Sequence, residues 1–125
     1  MSVKQVFLLN AAIEGIGGMV FFLRPEWLLN NGQATLESIM LSKLIAFAAI
    51  IFGILSFQIF KHFQYSQLIK MATLIFMGYH VITALNMYRF YTAELTANPG
   101  AFIIHLLLGI TFGAIFLKER EKFIN

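Results

Sequence analysis

The run MATLIFMGYHVITALNMYRFY, Met71 to Tyr91, decides how this chain must be read. It is long enough to cross a bilayer, which takes about 20 mostly apolar residues. Yet it carries His80 near its middle, and Asn86 and Arg89 further on. A membrane helix holds such groups only where the fold gives them partners or water. Three other apolar runs offer candidates: Glu14 in the first, Lys43 in the second and His105 in the fourth.

Composition points the same way. Of 125 residues, 59% are apolar and 12% charged, where soluble domains run near a quarter charged. Fourteen phenylalanines stand against six acidic residues, all of them Glu, and the mean hydropathy is +0.79. The chain reads as one all-α integral membrane domain over residues 1–125. A charge of +3 and a pI near 9.4 do not imply nucleic acid as a partner. The basic residues sit at the ends of apolar runs, where membrane topology puts them. With no cysteine there is no disulfide, thiolate metal site or thiol redox chemistry.

Outward from the third run, the punctuation predicts a four-helix transmembrane bundle, with helices at about residues 3–23, 35–60, 68–91 and 101–118. Arg24-Pro25-Glu26 ends the first, because proline disfavours helix in the residue before it. Glu14 interrupts that first run and no small-residue cleavage site follows, so it reads as a retained helix and not a signal peptide. Trp27 reads as an interfacial anchor, with Tyr65 another belt residue. Asn30-Asn31-Gly32 and Asn98-Pro99-Gly100 read as turns. The charged end Lys118 to Lys122 reads as solvated. Lys4, Lys61, Lys70, Lys118, Arg120 and Lys122 fall on the side of the termini, with Arg24, Arg89 and Lys43 towards the other. The positive-inside rule therefore predicts both termini in the cytoplasm of a bacterial inner membrane protein.

Depth follows from a rise of ~1.5 Å per residue. Glu14 lies ten residues before Arg24 and His80 eleven before Tyr91, so both fall ~15–16 Å below the outer surface by that rise. Lys43 and His105 come out shallower, at ~6–12 Å, with Asn86 and Arg89 above His80. The polar groups thus form a gradient open to the outside and closed below Glu14 and His80. Asn10, Glu14 and Gly17 or Gly18 share a stripe of the first helix, and His80, Thr83 and Met87 one of the third. On the fourth, His105, Gly109 and Gly113 align, and Gly109-x-x-x-Gly113, like Gly15, Gly17 and Gly18, has the small-residue spacing of close helix approach.

These positions nominate Glu14, Lys43, His80, Asn86, Arg89 and His105 as a ligand-binding set around an outward-facing pocket. Glu14 at mid-bilayer must be protonated, paired or wet, with Lys43 or His80 as partner. Lys43 can equally snorkel outward, and Arg89 reads first as an interfacial anchor. Two histidines on neighbouring membrane helices can ligate a haem iron, but an offset of ~10 Å between His80 and His105 argues against it. The same offset argues against zinc or iron on Glu14 and the two histidines, so no metal or other cofactor is expected.

A Gly-rich first helix, Gly15-Ile16-Gly17-Gly18, leads into Arg24-Pro25-Glu26-Trp27-Leu28-Leu29. In this stretch, residues 11 to 29, the chain resembles the small bacterial DoxX-like membrane proteins. That resemblance implies a four-helix bundle and, through some members, a link to quinone-dependent oxidoreductases. Three functional classes follow. One is a binding or transport protein for a small or amphipathic ligand. Another is an accessory subunit, docked in a homo-oligomer or a larger membrane complex. The last is an enzyme using Glu14 and His80 as an acid–base pair on a lipid-like substrate.

Overall fold

The computed structural model describes residues 1–29, 35–96 and 98–123, and among them the chain is all-helical. Four long helices run in order: α1 Val3–Leu23, α2 Leu36–Lys61, α3 Gln67–Thr92 and α4 Gly100–Glu119. Each is long and apolar enough to cross a membrane. The Asn30-Asn31-Gly32 turn lies outside the described residues.

The helix starts follow local chemistry. Ser2, Thr35 and Ser66 each accept the backbone N–H three residues on, satisfying donors left open at a first helical turn. Gln5 completes a capping box on Ser2. After α1, Pro25–Trp27 form a short 3₁₀ turn that leaves Trp27 exposed. After α3 the chain reverses through Glu94, which adopts φ 58°, and the Leu95 N–H returns to the Phe90 carbonyl at 2.9 Å. That is a Schellman-type ending with glutamate where glycine is usual.

The helices pair into two antiparallel hairpins, α1 with α2 and α3 with α4. Within each, missing side chains bring the backbones together. A Cβ on Gly53 would meet the Gly15 nitrogen at 2.5 Å, and one on Gly18 would meet the Ala46 carbonyl at 2.8 Å. Gly109 sits against Val81 and His80. Gly17 differs from the expected packing role: a Cβ there would meet nothing within 4 Å, because that position faces a cavity.

Between the hairpins the seam is filled by rings at one end. Phe7 meets Phe76 and Phe112 edge-on, each at 5.3 Å between centroids. Phe52 joins Phe76 at 5.1 Å, and Val3, Val6, Ile69 and Phe123 complete this core near the chain termini. The charged tail is not solvated throughout. Glu119 is buried and accepts a hydrogen bond from Tyr65, so Tyr65 is a tether and not a free belt residue. Burial, with the Glu119 carboxylate beside it, pushes the Tyr65 phenol up to about 12. The tail turns inward because Phe123 is fully buried, stacked near Phe116, while Gln67 donates to its carbonyl at 3.0 Å.

Candidate functional site

Above the phenylalanine core, the seam between hairpins changes character. Asn10 and Glu14 stand one helical turn apart on α1 and face the same way. Tyr79 and His80 come from α3, Ser56 from α2 and His105 from α4. All four helices therefore contribute to one polar cluster at mid-height.

Its bonding can be followed atom by atom. The Asn10 amide Nδ2 donates to Ser56 Oγ at 2.7 Å, which turns its carbonyl Oδ1 towards His80 Nε2, also at 2.7 Å. A carbonyl only accepts, so this Nε2 carries the hydrogen. In the neutral imidazole His80 Nδ1 is then a lone pair. It faces His105 Nδ1 at 3.0 Å and Glu14 Oε1 at 3.6 Å. His105 Nδ1 lies 3.4 Å from the same carboxylate oxygen. Tyr79 OH donates to the other, Oε2, at 3.0 Å, and the Tyr79 ring is held by stacking on Phe52 at 3.9 Å. Glu14 Oε1 has no hydrogen-bond partner, although Glu14 is 2% exposed.

A cavity of about 220 Å³ adjoins the cluster on the side away from the termini. Glu14, Tyr79 and His105 form its polar end, and Gly17, Ala46 and Ile104 are among its apolar walls. It reaches towards Leu28 and Ala101, near the α1–α2 and α3–α4 connections.

The six nominated residues divide evenly. Glu14, His80 and His105 meet; Lys43, Asn86 and Arg89 are exposed and line no part of the cavity. Lys43 falls one residue off the buried Ser42–Ala46–Ala49 face of α2 and places its ammonium 5.8 Å from the Phe22 ring centroid. It is not the partner of Glu14. Asn86 and Arg89 belong to the stripe of Ile75 and Ile82, which is exposed, while the buried face of α3 carries Phe76, His80, Thr83 and Met87. Depth alone had drawn them in; azimuth excludes them.

The offset of ~10 Å expected between His80 and His105 from the helical rise is also corrected, since their nitrogens touch. Phe102, in the first turn of α4, packs on Tyr88, a turn before α3 ends, at 5.3 Å, so α4 starts below the level at which α3 ends. Depth counted from helix ends therefore sets His105 too high. With the offset goes the objection to a metal. A haem remains a poor fit for a different reason: trans ligands on one iron would stand about 4 Å apart, twice a bond of about 2 Å, with the macrocycle between them.

Sequence reasoning placed Asn10 on the Glu14 stripe without giving it a role, and it passed over Tyr79 and Ser56. The Asn10-x-x-x-Glu14 spacing was the available signal for Asn10. Tyr79 gave none, since tyrosine is common in membrane helices. No family model matches the chain, and neither does any curated protein or solved structure, so the chemistry of the site rests on its own geometry.

Proposed function

We propose that this is a small multi-pass membrane protein that binds a small amphipathic ligand in the seam between its hairpins. The ligand's polar head meets Glu14, Tyr79 and His105, and its apolar part lies along Gly17, Ala46 and Ile104. One observation carries this reading: a buried carboxylate oxygen without a hydrogen bond stands at the polar end of an otherwise apolar cavity. A group left so would be costly if the cluster served only to lock the bundle. On the charge asymmetry of the chain, the termini lie in the cytoplasm and the cavity faces outward.

The test uses Gly17. A side chain there enters open space, so Gly17→Phe fills the cavity without displacing a helix. Organic extraction and native mass spectrometry of protein purified in mild detergent should find a small amphipathic compound with the parent and at least tenfold less with Gly17→Phe. Both proteins should melt alike. A parent that carries no such compound refutes the reading and favours a role as an accessory subunit.

A further inference from the structure

Two imidazoles whose Nδ1 atoms face each other at 3.0 Å, both within 3.6 Å of one carboxylate oxygen, form an unusual arrangement to build into a bilayer. With its hydrogen on Nε2, His105 presents a lone pair beside those of His80 Nδ1 and Glu14 Oε1, and a cation at their centre would satisfy all three; with the hydrogen on Nδ1 it bridges the two imidazoles and leaves Oε1 without a partner. We infer that Glu14 Oε1, His80 Nδ1 and His105 Nδ1 are the ligands of a divalent transition-metal ion, with zinc the best match.

The triangle has the right size. A point equidistant from the three atoms, given their separations, lies about 2 Å from each, the length of a Zn–N or Zn–O bond. The surrounding bonds are those that prepare ligands. His80 Nε2–H is spent on Asn10, itself fixed by Ser56, which presents Nδ1 to the point. Tyr79 occupies Glu14 Oε2 and leaves Oε1, the oxygen without a partner. Metal-bound histidines commonly have their second nitrogen anchored in this way.

Donor chemistry selects the ion class. Calcium and magnesium want oxygen ligands, and two of these three atoms are imidazole nitrogens. There is no thiolate to favour softer ions. Two histidines and a carboxylate, with one position left, match a zinc ion that keeps an open site. The cavity borders Glu14 and His105, so the remaining ligand comes from its contents. One carboxylate against a doubly charged ion leaves a net positive charge in the bilayer core, which is costly there. That ligand is therefore an anion, hydroxide or the head group of the amphiphile proposed above. The metal inference shares that reading's floor but does not depend on its cavity being filled.

The test is metal uptake by the full chain. Protein stripped with chelator and exchanged into clean detergent buffer is given Zn²⁺ or Co²⁺ alone, then freed of excess by gel filtration. Elemental analysis should find one ion per chain, and Co²⁺ should give the intense visible bands of a low-coordinate nitrogen–oxygen site. His105→Ala and Glu14→Gln should each lower retained metal at least tenfold, while His62→Ala, exposed beyond α2, retains it. Asn10→Ala touches no metal and should weaken retention by about 10–100-fold, the usual effect of losing a ligand's anchor. Should the ligand variants fail to fold, the parent's stoichiometry and cobalt spectrum decide alone. A stripped parent that takes up neither ion, or one showing only the pale spectrum of hydrated Co²⁺, overturns the metal site. So does a folded His105→Ala that retains as much metal as the parent. The parent separates the two proposals: zinc held without an extractable compound refutes the ligand alone, and a compound held without zinc refutes the metal alone, whereas Gly17→Phe should lose the compound and keep the zinc.

Discussion

The two ends of this bundle share four helices and fill the space between them differently. Towards the termini, Phe7, Phe52, Phe76 and Phe112 interlock, and the buried Thr73 hydroxyl is spent on its own helix at the Ile69 carbonyl. Towards the other end the seam is hollow. Within the first hairpin the helices have not splayed to make room, because α1 and α2 remain in backbone contact at Gly18 and Ala46, beside the cavity. The hollow comes from withheld volume, with Gly17, Ala46, Ala49 and Ala101 at inward positions where the lower half has rings. A cavity made this way is held open by a rigid frame, and the phenylalanine half is that frame.

Breaking the frame where the halves join should have the largest effect. Gly53 meets the Gly15 backbone, so Gly53→Leu cannot be relieved by a side-chain shift. It should destabilise the first hairpin by about 4 kcal/mol or more, as severe overpacking does, read as loss of cooperative melting in detergent. Truncation inside the frame comes next. Phe7→Ala should cost about 3 kcal/mol, since lipid removes part of the transfer term but not the cavity left behind. Ile104→Ala, in the wall of an existing hollow, should cost about 1 kcal/mol or less. Equal losses for the two, measured by chemical or thermal unfolding in the same detergent, would show that the halves do not differ in packing. The smallest effect lies outside both. Glu94→Gly removes a left-handed strain and should raise stability by about 1 kcal/mol. Binding in the cavity should be unaffected.

Much of the frame could be read directly from the sequence. The Arg24-Pro25 break and the turn residues between the apolar runs set helix ends to within about a residue, because these signals act on the local backbone. Counting from Arg24 and Tyr91 put Glu14 level with His80, and their side chains lie 3.6 Å apart. The same counting failed for His105, whose height depends on where α4 starts relative to the end of α3. Azimuth was the second failure: Asn86 and Arg89 have the right depth, and only their register with Ile75 and Ile82 shows that they face outward. Glu119 looked like one charge in a solvated tail, and its burial needed Tyr65, 54 residues away, to be visible.

The spacing of the polar cluster along the chain also fixes an order of events during synthesis. Tyr79 follows Glu14 by 65 residues and His80 follows Asn10 by 70. At ribosomal rates of about 5–20 residues per second, α1 waits on the order of ten seconds for those partners. Within that wait α2 delivers Ser56, which engages the Asn10 amide. Nothing in α2 does the same for Glu14. The first hairpin therefore matures with an acid facing lipid, a condition that the arrival of α3 and α4 relieves.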